Sequence, residues 1–368
     1  MTQRLPPSLT PLDSALAMVL RGLGSIAPVD LPLHEALGCI AAEMSPLGAH
    51  PSSDTAIVDG WALRANDLVG ASSYSPVPLA APPTWVESGD AMPDGCDCVL
   101  DTDAVDSSRP ICEVLAEAVP GQGVRRAGSD IAAGASIVAA GSPVSAAALM
   151  LARAAGLEAM RVRRPRLRIV IVPDRDNAAQ TIADHARAAG ADVAMVSAAA
   201  RESDSIATAL DATACDLLMT VGGTGGGRQD AAVDALAERG EVLAHGIALL
   251  PGRTGAVGTI AQVPVVALPG SPDQAFAVWL ALVRPLLDHL SARQPRKSLT
   301  LPLARKIASH VGLAEIALMA EARGAWLPLA AGDLSLQAIA GADAWIVVPD
   351  DSEGFAAGEQ VDAYLMRE

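Results

Sequence analysis

From Arg166 onward the chain alternates strand-like and helix-like segments at short spacing, and this restricts its fold more than any other feature. LRIVIVP (Leu167–Pro173) is a run rich in β-branched residues, which predicts a strand buried on both faces. AAQTIADHARAAG follows with a helical period and stops at Gly190. ADVAMVSA reads as a second strand, ESDSIATALDATA as a helix, CDLLMTVGG as a third strand and QDAAVDALAERG as a further helix. VPVVALPGSP supplies one more strand and turn before the long helix DQAFAVWLALVRPLLDHL. Repeated strand–helix–strand units of this length predict a doubly wound, mostly parallel sheet over roughly Arg166–Leu290.

The rest of the chain is organised differently. Thr10–Leu23 places Leu12, Ala15, Leu16, Val19, Leu20 and Leu23 at helical spacing. From Val29 to about Ala140, short apolar runs are broken by Pro and Gly, the pattern of short strands and turns, with one helical patch over His34–Glu43. SAAALMLARAAG (Ser145–Gly156) reads as a helix with Ser at its N-cap and Gly at its stop. After the linker SARQPRKS, Leu299–Glu368 reads as a small β domain. The expected class is therefore α/β plus β.

Composition removes several functions. Aromatic residues are only 2% of the 368, so the core must be built from Ala, Val, Leu and Ile, and stacking platforms for single-stranded nucleic acid are lacking. A net charge of -16 argues against nucleic-acid or anionic-membrane surfaces, whose binding depends on Lys and Arg displacing counterions. The N-terminal stretch has no uninterrupted apolar core with a cleavage site, and no window offers about 18 uncharged apolar residues. A soluble, cytoplasmic protein is expected. Five scattered cysteines (Cys39, Cys96, Cys98, Cys112, Cys215) do not make a disulfide framework. Cys96 and Cys98 lack a second ligand pair for zinc and are expected to be buried or half-buried thiols.

Three glycine-containing turns fall at strand ends. GGTGGG (Gly222–Gly227) directly precedes a helix, where glycines let the backbone approach an anion and amides point at it. The same glycines would serve an ordinary turn that needs positive φ. The loop is not a Walker A, since no Gly-Lys-Ser/Thr follows. LLPGRTGAVG contributes Arg253, whose planar donor fork suits a phosphate but is equally at home in solvent. ALPGSP (Ala267–Pro272) brings Pro269, Gly270 and Ser271 to a third strand end. Ligands bind beyond the carboxyl ends of strands in such sheets, so a shared pocket is expected there, with Asp230 orienting a bound group or a metal. In the first half, SSDTAIVDGWALRANDL holds Asp54, Asp59 and Asp67; Asp59-Gly60 alone would pass as a common turn.

Taken in order, these motifs resemble the molybdopterin molybdenumtransferases, MoeA and the matching domain of gephyrin. LPLHEALGCIAAEM, SSDTAIVDGWALRANDL, ESGDAMPDGCDCVLDTD, PGQGVRRAGSDIAAGASIVAAGSPVSAAALMLARAAGL, GGTGGGRQD, LLPGRT, LPGSP and GADAWIVVPDDSEGFAAGEQVDAYL each look like a segment of that family, and together they cover almost the entire chain. The resemblance implies four domains. An extended helical arm would take residues 8–28, 46–54 and 143–165, and an inserted β domain residues 29–45 and 55–142. An α/β molybdopterin-binding domain would take residues 166–293, and a C-terminal, β-barrel-like domain residues 294–368. It also implies a homodimer in which one chain helps close the other's pocket. The implied chemistry is insertion of molybdate into adenylylated molybdopterin with release of AMP, assisted by magnesium. Carried over by position, Asp59 and Asp230 are the expected catalytic and metal-binding acids. Gly222, Gly223, Thr224, Gly225, Gly227, Ser88, Arg253, Pro269, Gly270 and Ser271 are expected to hold the substrate.

The departures from the family are specific. Its TGDEL loop, which carries an acid implicated in catalysis, is missing here: IVIVPDRDNAAQ runs almost directly into a helix, leaving Asp174 or Asp176 as substitutes. Leu250 stands where the family has the first Lys of its KPGKP turn, and Gly225 where its loop has Ser. GGTG also resembles the related molybdopterin adenylyltransferases, so pterin binding survives these changes better than catalysis does. Two functions stay open: a molybdenumtransferase, and a non-catalytic protein that binds molybdopterin or delivers the cofactor to a molybdoenzyme.

Overall fold

A computed structural model of the chain describes Gln3, residues 8–108 and residues 110–366. Most of the opening MTQRLPP stretch and the last two residues of the closing β segment lie outside them. The described residues form two compact units, one comprising Met1–Ala42, Ala140–Ser145 and Arg161–Glu368, the other Glu43–Ala139 and Ala146–Met160.

The first unit is built on a six-stranded sheet. Its elements are β1 (Arg166–Ile171), α1 (Asp176–Ala188), β2 (Asp192–Ser197), α2 (Ser203–Ala209), β3 (Leu217–Val221), α3 (Ala232–Arg239), β4 (Glu241–His245), β5 (Ile247–Leu250), β6 (Ala256–Ile260), β7 (Val263–Leu268), α4 (Pro272–Val278) and α5 (Arg284–Leu290). Strand order is β2-β1-β3-β7-β6-β4. The first four strands are parallel, and β6 and β4 close the sheet antiparallel. The β-branched run of β1 explains its central place. Leu167, Ile169 and Ile171 pack with α1, α4 and α5, while Val170 packs on the opposite face with Ile206, Leu210, Ala235 and Leu236. Helices on both faces make the sheet doubly wound. Between α4 and α5 the helix continues as a π turn, Trp279–Val283, with all five residues buried.

β5 leaves this sheet for another. It pairs in parallel with Thr10–Pro11 on one side and with Ala314–Ala322 on the other. The C-terminal strands Ala325–Ala331, Ala344–Val348, Gln360–Leu365 and Ser298–Pro302 complete this second sheet, which encloses its own core around Trp326.

Several expectations are corrected. The helix expected over Thr10–Leu23 spans Leu12–Leu20, because Thr10 and Pro11 are drawn into the second sheet. The patch His34–Glu43 is not helical. Gly38, at φ +77°, interrupts it, and the amides of Gly38, Ala41 and Ala42 donate to the carbonyls of Val144, Ser142 and Arg161. Tertiary partners there take the donors that a helix would use. β4, β5 and β6 were not anticipated, since their segment is broken by Gly and Pro.

The second unit consists of short strands, as its Pro- and Gly-broken pattern implies. Gly60–Leu63 lies between Thr84–Val86 and Cys98–Leu100. Ser72–Pro78, Glu113–Ala116 and Val105–Asp106 form another three-stranded sheet. The helix Ala146–Ala154 also belongs to this unit. All five cysteines are free, with Cys39, Cys98 and Cys215 buried and Cys96 and Cys112 half-buried. Burial pushes the Cys98 and Cys215 thiols up to about 11, so both stay neutral at ordinary pH. Among the described residues no helix is long and apolar enough to cross a membrane.

Candidate functional site

β3 is buried throughout and ends at Gly222, whose amide donates to the Leu268 carbonyl at 2.9 Å, so β3 and β7 stop side by side. Gly222 and Gly223 adopt φ of +99° and +71°, which side-chain-bearing residues avoid, and this turns the chain sharply out of the sheet. Thr224 is buried. Its hydroxyl lies 3.0 Å from that of Thr254, and its carbonyl lies 3.0 Å from His245 Nε2. The GGTGGG loop and the LLPGRT turn are thus joined through side chains. The amides of Gly223, Thr224, Gly225 and Gly226 donate to no described residue.

Asp230 closes the loop from the inside. Its Oδ2 accepts the Gly227 amide at 2.9 Å, and its own amide donates to the Gly227 carbonyl at 3.1 Å. A Cβ on Gly225 or Gly227 would lie 2.7 or 2.8 Å from that same oxygen. These two glycines make room for the carboxylate as much as for a ligand. Gln3, 4% exposed, adds a second clamp: its amide nitrogen donates to the carbonyls of Gly223 (3.2 Å) and Gly225 (2.7 Å), and its oxygen accepts the Val233 amide (3.0 Å) in the first turn of α3.

The third turn meets the first through a residue that the sequence did not single out. Arg175, the N-cap of α1, lays its side chain across both: a Cβ on Gly222 would lie 2.7 Å from its Cγ, and one on Gly270 would lie 2.5 Å from its Nε. Pro269 is buried, and the Ser271 hydroxyl donates to the Asp273 carboxylate. Arg253 is exposed beside Gly252, which packs against Val278 of α4. Of the two acids considered as substitutes, Asp174 (φ +67°) is paired with Arg201 at 3.2 Å, while Asp176 is exposed in the first turn of α1. Arg201 also donates to the Pro173 carbonyl at 2.9 Å and to Gln229 at 3.2 Å, fixing this short turn.

In the second unit, Asp59 and Ser88 are brought together. The Ser88 amide donates to Asp59 Oδ1 at 2.8 Å, and the Ser88 hydroxyl donates to the Ile57 carbonyl at 3.2 Å. Gly60 opens a strand rather than completing an Asp-Gly turn; a Cβ there would lie 2.2 Å from the Leu100 carbonyl oxygen. Asp54 is engaged elsewhere, with the Ala127 amide and then Arg126 holding its carboxyl below the usual range.

Comparison with known proteins identifies the whole arrangement. Three family models match in order: the MoeA N-terminal region (domain I and II) over residues 10–156, a "probable molybdopterin binding domain" over residues 168–289, and the MoeA C-terminal region (domain IV) over residues 332–366. The chain belongs to the MoeA family. Molybdopterin molybdenumtransferase 2 of Mycobacterium tuberculosis is 28% identical over 305 residues, covering 71% of this chain and 74% of its own length. Molybdopterin molybdenumtransferase 1 of the same organism is 26% identical over 403 residues, covering 92% and 95%. A crystal structure of the MoeA protein of Pyrococcus horikoshii superposes with a TM-score of 0.71 at 25% identity, covering 98% of this chain and all of that one. This MoeA-family chain therefore has the full-length multidomain fold and is a protein of molybdenum cofactor biosynthesis.

The side chains at the sheet edge do not fit a magnesium ion. Magnesium is usually held by one or two carboxylates together with substrate phosphates. In this MoeA-family chain the Asp230 carboxylate is folded onto the Gly227 amide, Asp174 is paired with Arg201, and an arginine lies over the strand ends. Asp59 belongs to the other unit. Among the described residues no group of three or more His, Cys, Asp or Glu side chains could hold a metal ion. In PDRD the two acids are the expected chemical groups, and the arginine between them carries no signal of its own; Thr254 lies in the LLPGRT turn without a motif-level role, and nothing in the sequence singles out Gln3 or His245.

Proposed function

We propose that this protein binds molybdopterin, or its adenylylated form, at the carboxyl edge of β1, β3 and β7, with the phosphate held by the Gly223–Gly226 amides and by Arg253. The observation that supports this most directly is that row of amides, which donate to no described residue and follow two glycines of positive φ. Backbone donors hold an anion without requiring a basic protein, which suits a chain of net charge -16. Thr224, Pro269, Gly270 and Ser271 shape the pocket wall, and Asp59 with Ser88 comes to it from a second copy in a cytoplasmic homodimer.

The reaction we propose is insertion of molybdate into the dithiolene of adenylylated molybdopterin, with release of AMP. A second reading, a non-catalytic carrier that delivers the pterin or finished cofactor to a molybdoenzyme, is favoured by one observation: the acids nearest the loop are already engaged, Asp230 by Gly227 and Asp174 by Arg201. Incubating purified protein with adenylylated molybdopterin and molybdate, then measuring AMP and the pterin retained through a desalting column, separates the two. AMP release supports insertion. Retention without AMP establishes the carrier, and retention of neither pterin species overturns both.

A further inference from the structure

Arg175 is exposed, and its guanidinium makes no hydrogen bond or ion pair among the described residues. Its side chain nevertheless lies against two glycine turns. Gly222 at the end of β3 and Gly270 after β7 each lack the Cβ that would collide with its side chain, at 2.7 Å from Cγ and 2.5 Å from Nε. Two turns distant in sequence thus leave room for one arginine. The carboxylates flanking it in sequence form no ion pair with it among the described residues: Asp174 is paired with Arg201, and Asp176 is exposed. The first turn of α1, which Arg175 opens, also has no side-chain cap, so its leading amides add partial positive charge.

We infer that Arg175 is a phosphate-binding residue, whose positive charge, together with the free loop amides, lets this site hold the ligand's phosphate without a divalent cation. A planar guanidinium presents paired donors that match two phosphate oxygens, and it keeps its charge at every physiological pH. A divalent cation placed at the same edge would be repelled by it. The inference rests on the pterin-phosphate reading and extends it: the ligand class is a phosphate monoester or pyrophosphate bound in metal-free form, and the selective group is a side chain rather than an ion.

The test compares wild type, Arg175→Gln and Arg175→Lys, all in EDTA, for binding of molybdopterin and of its dephosphorylated form, with thermal melts as a folding control. Wild type is expected to bind the phosphorylated pterin in EDTA. Arg175→Gln should weaken that binding by about ten- to a hundredfold, leave the dephosphorylated pterin's affinity unchanged, and be partly rescued by Lys. Equal losses for both pterins, or no loss, overturn the role of Arg175 while leaving pterin binding intact. Binding by wild type that disappears in EDTA overturns the metal-free claim. If wild type binds neither pterin with or without magnesium, the underlying functional reading fails instead.

Discussion

Asp230 illustrates how one carboxylate can serve shape and chemistry at once. Its Oδ2 holds the Gly227 amide, and removing that acceptor frees the exposed Gly226–Gly227 side of the loop, while Gln3, Thr254 and His245 still hold Gly223, Thr224 and Gly225. Asp230→Ala should lower stability by about 1 kcal/mol in denaturant titration and weaken pterin retention. Asp230→Asn keeps an acceptor oxygen and should retain the pterin. If Asn also preserves AMP release, the negative charge of Asp230 has no catalytic part. The glycine loop was visible in the sequence because positive φ and close approach leave a compositional trace. The role of Arg175 was not, because it is created by Gly222 and Gly270, whose missing side chains concern a residue far along the chain.

At the scale of elements, the parallel strands were legible from short runs rich in Val, Ile, Leu and Met that alternate with helical segments. The antiparallel strands β4 and β6, and β5 between them, were hidden in EVLAHGIALLPGRTGAVGTI, where local turn chemistry dominates and pairing is decided by distant partners. The entry to the sheet also has an electrostatic lock. Arg166 at the start of β1 donates through its backbone amide (2.8 Å), Nε (3.1 Å) and a terminal nitrogen (2.8 Å) to the carboxylate of Asp216, just before β3. Burial raises the Asp216 pKa, but the Arg166 hydrogen bonds and charge outweigh it and the net displacement is downward. The unfolded chain therefore binds this proton more readily than the folded one. The lock is fully present above the ordinary carboxylate pKa of about 4 and is lost as pH falls through the depressed folded value. Asp216→Asn should cost up to about 1 kcal/mol at neutral pH, since Arg166 is half-exposed, and the difference from wild type should shrink in acid unfolding curves.

For the whole molecule, the proposed pocket needs Asp59 from another copy. Asp59 stands at an exposed tip beside Ile57 and Val58, which are 45% and 39% exposed, an apolar pair that gains from being covered. Light scattering should give twice the 37.4 kDa chain mass; a single-chain mass would remove the partner's acid from the proposal. The strand β5 carries a different consequence. It starts in the chain segment of the central sheet, pairs only within the C-terminal one, and leads directly into the Arg253 turn. A gene fragment cut between the two sheets would thus carry away an unpaired strand edge at the root of that turn. The sheet edge proposed to bind the pterin and the C-terminal sheet consequently form one inheritable piece, to be transplanted or truncated together.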